Sequence, residues 1–232
     1  MSFKVKKIAI VIPVYNEEEI IHTVVEDIKD KLSNIDYKII ILNDGSTDNT
    51  EKKLKIYEND KNILIINKHN EGHGKTLIRG YEQTLKMDFD YIVQIDSDDQ
   101  IPIEELYKLI EFSGSFDLVC GFRYKRNDPF IRILITNILK YIIFIRHGVF
   151  IEDSNIPLRI MSKLFLLDNI DKVKNSFIPN VLLSILASKK NNFKQVKTIH
   201  KSRNTGIVSI RKLNLLILCI RSLLEVIKFK TN

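Results

Sequence analysis

Three aspartates close the apolar run in YIVQIDSDDQIP, residues 91–102. Carboxylates at the end of a buried strand are costly unless they bind something. If the strand persists through the segment, its side chains alternate. Asp96, Asp98 and Gln100 then face one way and Asp99 the other. Two carboxylates and an amide oxygen make a hard, oxygen-only set suited to Mg²⁺ or Mn²⁺, with coordination positions left open for diphosphate oxygens. The same acids would equally suit the start of a helix over 102–112, so the Asp-x-Asp pair decides nothing by itself. Its position after three strand–helix units gives it weight.

Two further segments end strands in polar residues. In IVIPVYNEEE, residues 10–19, Pro13 leads into Tyr15, Asn16 and Glu17. Tyr15 is placed to stack on a base and Glu17 to accept from a ribose hydroxyl; the plainer alternative makes Asn16 a helix cap with acids in the first turn. In ILNDGSTDNT, residues 41–50, Asp44 could read a base N–H, or Asp44-Gly45 could be a turn with Asp48 capping the next helix. HNEGHGKT, residues 69–76, ends like a phosphate-binding P-loop, but His69 stands where that motif needs its first glycine. It reads as a glycine turn at a helix start, still able to help cradle phosphate.

Elements must hold these segments together. Strand-like runs cover 8–14, 37–43, 62–67, 91–96 and 116–122, and helix-like runs lie between them at 17–33, 48–58, 74–87 and 102–112. This alternation predicts an α/β fold, a mostly parallel sheet with helices on both faces. Ligands in such sheets bind outside the carboxyl ends of the strands, where all four polar segments lie.

The second half differs. Residues 1–122 hold 15 Lys+Arg against 23 Asp+Glu, a net −8; residues 123–232 hold the other 21 against 6, a net +15, together the overall +7. An acidic half followed by a basic half suggests two jobs, the basic one meeting anionic lipid, nucleic acid or a phosphorylated substrate. Residues 130–147 and 211–230 read as helices with a wide apolar face and a basic stripe, suited to a membrane surface. Neither approaches the ~18–20 uninterrupted apolar residues that span a bilayer. Cys120 and Cys219 are the only cysteines and form no CxxC pair, which predicts a reducing, cytoplasmic setting. The N-terminal apolar run is only about seven residues long and ends in acids, a first strand rather than a signal peptide. No nucleic-acid recognition motif is present, so no nucleic acid is expected as partner. A nucleotidyltransferase would show a glycine- and arginine-rich loop early in the chain, and Pro13–Asn16 is not one.

PVYNE, NDGSTD, NEGHGKT, DSDDQ and GFRY, in this order and spacing, resemble the family 2 glycosyltransferases, and within them the polyprenyl-phosphate sugar synthases. The resemblance covers about residues 7–211. It implies a GT-A fold, a Rossmann-like nucleotide-sugar-binding sheet over 1–210, with a nucleotide-sugar half (1–122), an acceptor half (123–210) and a basic amphipathic helix (211–232). It implies that Pro13, Tyr15, Glu17, Leu42 and Asp44 hold the nucleoside of a UDP- or GDP-linked sugar. Asp96, Ser97, Asp98 and Gln100 would hold Mg²⁺ or Mn²⁺ and the diphosphate. Arg123 and Arg203 would face the phosphates, and Arg126, Arg132, Arg159 and Arg211 the acceptor. Asn43 and Pro157-Leu158 depart from the family pattern. The implied reaction is displacement at the anomeric carbon with inversion, onto a membrane-associated acceptor at the inner face of the membrane. A polyprenyl phosphate is already ionised and needs no base. The alternative, a sugar hydroxyl of a lipid-linked saccharide, needs one, for which Asp153 is the candidate.

Overall fold

The computed structural model describes residues 7–123, 130–201 and 212–231, with side chains from 133 in the second stretch and from 217 in the third. The strands form one sheet: β1 (Lys7–Val14), β2 (Asp36–Asp44), β3 (Ile63–Lys68), β4 (Tyr91–Gln94), β5 (Leu118–Arg123), β6 (Arg159–Ser162) and β7 (Phe193–Thr198). Their spatial order is β3-β2-β1-β4-β6-β5-β7. Neighbours run parallel except β6, which lies antiparallel to both β4 and β5. The sheet therefore draws strands from both sides of the charge division.

β1 is buried from Ile8 to Val14, as its near-continuous Ile/Val run requires of a central parallel strand. Its alternation sorts residues between two helix layers. Ile8, Ile10 and Ile12 pack with Ile21, Val24, Val25 and Ile28 of α1 (Ile21–Lys31), while Ala9 and Val11 pack with Leu77, Ile78 and Tyr81 of α3 (His73–Leu85). Between them α2 (Thr50–Leu54) is a single short helix continued by a 3₁₀ turn, and α4 (Glu105–Ser113) follows the aspartate segment.

Two expectations are corrected. β4 stops at Gln94, two residues short of Asp96, and Asp99 adopts a left-handed φ of 51°. Strand alternation therefore cannot sort the three aspartates; a turn does. Likewise α1 starts at Ile21, not near residue 17, and Asn16 is no cap: it has a left-handed φ of 54°.

The second half adds α5 (Phe130–His147), α6 (Lys163–Val173), α7 (Pro179–Lys189) and α8 (Lys212–Lys228). α5 and α8 pack together through buried Ile143 and Val226. Arg146 Nε donates to the Ile227 carbonyl at 2.9 Å, and His147 Nε2 lies 2.9 Å from the Val226 carbonyl. Their outer faces are apolar. Leu134, Ile138, Tyr141 and Ile145 form one exposed stripe along α5, Ile145 being 81% exposed, and Ile217, Ile220, Leu224 and Ile227 form another along α8. Of the expected basic stripe, Lys140 is paired with Glu152 at 2.6 Å. Among the described residues no helix is long and apolar enough to cross a membrane.

Candidate active site

The loops after β1 and β2 are laced into one floor. Asn16 N–H donates to Ser46 Oγ at 3.0 Å, and Thr47 N–H returns a bond to Asn16 Oδ1 at 2.7 Å. Glu17 N–H donates to Thr50 Oγ1 at 2.9 Å, and Asn49 N–H to Glu18 Oε2 at 2.7 Å. Asn16, which sequence spacing offered as a helix cap, is thus spent on cross-loop bonds, while Asp48 accepts both from Thr50 N–H at the start of α2 (3.0 Å) and from Glu18 N–H across the loops (3.2 Å). Gly45, with φ +69°, sits so close to the next loop that a Cβ would stand 2.7 Å from Asn70 N.

Asp44 is buried and grips the loop that starts α3. It accepts from Glu71 N–H at 2.9 Å and Gly72 N–H at 3.0 Å, and pairs with Lys68. Glu71 in turn is clasped by Arg79, with bonds of 2.6 and 2.9 Å. The Arg79 guanidinium, helped by Lys68, holds the Glu71 carboxyl down to about 2. Gly74, in the first turn of α3, meets the loop before α7 so closely that a Cβ would fall 2.2 Å from the Phe177 carbonyl oxygen.

The aspartate segment closes the arrangement. Ser97 Oγ donates to the Pro13 carbonyl at 3.1 Å, tying this turn to the end of β1. Asp96 Oδ1 is buried without a hydrogen-bond partner. Asp98 Oδ1 accepts from Gln100 N–H at 3.2 Å. Asp99 points elsewhere, to Lys201 at 3.4 Å, and the Gln100 carbonyl accepts from Lys201 N–H at 2.7 Å.

These pieces surround one cavity of about 750 Å³. Pro13, Tyr15, Glu17 and Asp44 line one part, Asp96, Ser97 and Asp98 another, and the 71–76 turn a third. Phe177, Ile178 and three residues of α8, Leu218, Arg221 and Ser222, complete the wall. Nothing in the sequence beyond helical spacing marked Arg221, and the reading of its motifs missed it.

Five expected site residues, Leu42, Gln100, Arg123, Asp153 and Arg159, do not line this cavity. Leu42 is wholly buried in the core under α3, with Cδ1 against Gly80, and its side chain does not reach the cavity. Gln100 is not on the wall with Asp96 and Asp98, because the chain turns at Asp99. Arg159 is 0% exposed and cannot meet an acceptor. Its guanidinium donates to the carbonyls of Ile156 (2.6 Å), Asn180 (3.0 Å) and Ser154 (3.3 Å). Starting β6 between β4 and β5, it can only point into the protein. Arg123, ending β5, reaches Asp153 instead, with Nε–Oδ2 at 2.7 Å and Nη2–Oδ1 at 3.1 Å. Gln195 of β7 pins the backbone at 152–153. Arg126, Arg203 and Arg211 lie outside the described residues, and Arg132 falls on α5 where side chains are not described.

Residues 9–171 match the family model for glycosyl transferase family 2. The chain belongs to glycosyl transferase family 2. It is 33% identical over 180 residues to the UDP-N-acetylglucosamine–dolichyl-phosphate N-acetylglucosaminyltransferase of Methanococcus voltae, a match covering 68% of this chain and 70% of that protein. It is 31% identical over 164 residues to the undecaprenyl-phosphate 4-deoxy-4-formamido-L-arabinose transferase of Yersinia enterocolitica, covering 68% of this chain and 49% of that one. The chain thus spans about half the length of these undecaprenyl-phosphate relatives. Among solved structures, glucosyl-3-phosphoglycerate synthase of Mycobacterium tuberculosis with Mn²⁺, uridine diphosphate and phosphoglyceric acid superimposes with a TM-score of 0.69 at 18% identity, over 97% of this chain and 80% of that one. The family 2 fold is GT-A.

In this family 2 chain the residues present fit a hard divalent cation. Asp96 offers a buried oxygen with no other partner, and Asp98 shares the same wall. Among the described residues no three His, Cys, Asp or Glu side chains gather. Two carboxylates alone leave most of the coordination sphere to ligand oxygens, the arrangement Mg²⁺ and Mn²⁺ favour at phosphate sites.

Proposed function

We propose that this protein transfers a sugar, with inversion, from a nucleotide-diphosphate sugar to a polyprenyl phosphate at a membrane surface. The observation that carries the reading is the shared cavity. The laced β1 and β2 loops, which offer Tyr15 and Glu17 to a nucleoside, open onto the same space as Asp96 and Asp98. A uridine diphosphate sugar is the donor we favour, since uridine diphosphate or its sugar is named both for the methanococcal relative and for the mycobacterial structures. A dolichyl or undecaprenyl phosphate acceptor is named for the relatives above.

Asp96 and Asp98 would hold Mg²⁺ or Mn²⁺, which supplies charge neutralisation for the departing diphosphate. Tyr15 and Glu17 orient the nucleoside, and Ser97 keeps the aspartate turn against Pro13. Arg123 places fixed positive charge beside Asp153 at the end of β5. Both Asp153 oxygens are engaged by Arg123, which favours a phosphate acceptor, needing no base, over a sugar hydroxyl. The exposed apolar stripes of α5 and α8 suit a peripheral seat on the inner face of the membrane, with the protein otherwise cytoplasmic.

The test is sugar transfer from a uridine diphosphate sugar to a short polyprenyl phosphate with Mn²⁺, the unphosphorylated polyprenol serving as control. Transfer to the phosphate alone is expected. Transfer to neither, with transfer to a saccharide hydroxyl, would overturn the phosphate acceptor.

A further inference from the structure

A phosphate acceptor creates an electrostatic problem in this cavity. Glu17, Asp44, Asp96 and Asp98 all line it, and a donor diphosphate adds more negative charge. A second anion approaches only if a cation on the wall faces it. Lys75 lies in the first turn of α3, next to the Glu71–Gly72 turn that Asp44 holds, at the donor end. Arg221 is different: it projects from α8, on the wall contributed by the second half of the chain.

α8 carries two functional faces. Leu218, Arg221 and Ser222, spaced three and four apart, share the face that lines the cavity. Ile217, Ile220, Leu224 and Ile227 form the exposed stripe beside it. One helix thus joins an exposed arginine on the cavity wall to apolar surface beside it. The matching ligand has an anionic head and a long apolar tail. A guanidinium presents paired donors that fit phosphate oxygens, and it remains charged at any physiological pH.

We propose that Arg221 receives the phosphate of the lipid acceptor, with Leu218 against the first carbons of its chain and the α8 stripe leading the tail out of the cavity. This assignment rests on the lipid-phosphate reading above. It makes α8 part of the acceptor site and Arg221 the determinant of a charged over a neutral lipid head.

The test uses the full chain with a short polyprenyl phosphate, a uridine diphosphate sugar and Mn²⁺. Losing a hydrogen bond to a charged partner predicts that Arg221→Ala raises KM for the lipid phosphate about 10- to 100-fold. Arg221→Lys should recover part of the loss. KM for the donor, kcat at saturating lipid and the thermal shift with uridine diphosphate and Mn²⁺ should stay within about twofold of the unaltered protein or near its value, and the thermal shift also reports that the variant is folded. A rise in donor KM with the lipid KM unchanged would assign Arg221 to the donor diphosphate and overturn the proposal. Unchanged lipid KM in an otherwise active Arg221→Ala protein would overturn it alone. No transfer to polyprenyl phosphate by the unaltered protein would remove the acceptor reading and this assignment together.

Discussion

Arg123 and Asp153 are joined by two hydrogen bonds, 2.7 and 3.1 Å, between the end of β5 and the loop before β6. Asp153 is 4% exposed, and its backbone is pinned to Gln195 of β7. A carboxylate held this way positions a guanidinium; it is poorly placed to take a proton. Asp153→Asn keeps size and one acceptor oxygen, so its loss of transfer activity should stay under about a hundredfold, the lower bound for losing a general base. Arg123→Ala should lose more, because it deletes charge and leaves Asp153 buried without its partner. Steady-state rates for the two variants check the order, and a collapse in Asp153→Asn alone would restore the base.

The three aspartates should separate by position. Asp96 and Asp98 line the cavity, whereas Asp99 pairs with Lys201. With uridine diphosphate present, Mn²⁺ at a hundred times its Kd should stabilise the unaltered protein by about 2.7 kcal/mol. For a chain of this length that is a Tm rise of about 5–11 °C. Asp96→Asn and Asp98→Ala should abolish the rise, and Asp99→Ala should retain it. Equal loss in all three would contradict the turn geometry.

Arg159 is expected to matter for folding, not for the acceptor. Truncating it strands three buried carbonyls, each costing ~1 kcal/mol or more. Arg159→Ala should therefore lose about 3 kcal/mol or more, a fall in Tm of about 6–12 °C. The lipid KM of whatever fraction remains folded should be unchanged. A stable variant with a raised lipid KM would reverse this assignment.

The α5–α8 contact should weaken in acid. Burial pushes the His147 imidazole below its ordinary 6.5; the bond to Val226 opposes this, and nearby Arg146 and Lys189 reinforce it. A depressed folded value means the neutral form is favoured, so its contribution is present above about pH 6.5 and is lost as pH falls through the folded value. Glu225 on α8 has the opposite sense: burial raises its carboxyl, despite bonds from Ser176 and Phe177, so its contribution is present at low pH and fades as pH rises. Hydrogen exchange of α8 amides from pH 7.5 to 5.5 should show the loss, and His147→Gln, which keeps a donor for the Val226 carbonyl, should flatten it. An unchanged profile in His147→Gln would place the dependence on another group.

Local signals in the chain were strong where hydrophobic period and turn chemistry agree. The Ile/Val runs of β1 and β2, the polar residues at their carboxyl ends and the acids after β4 follow from burial and from strand–helix alternation. That is why the α/β class and the cavity-forming loops were legible in the residues alone, whereas Asp96 and Asp98 were grouped by a strand alternation that the chain does not keep past Gln94. What remained hidden depends on long-range pairing. β6 enters the sheet antiparallel between β4 and β5, and no local pattern at 159–162 announces this; yet that placement buries Arg159 and brings Asp153 to Arg123. The left-handed turn at Asp99 replaces strand alternation as the reason one aspartate leaves the cavity. Arg221 lies more than 120 residues from the aspartates, and only the packing of α8 against α5 and the mouth of the cavity brings it to the wall of the cavity they line. Residue type records what a side chain is able to do, while its neighbours across the fold decide which of those capacities is used.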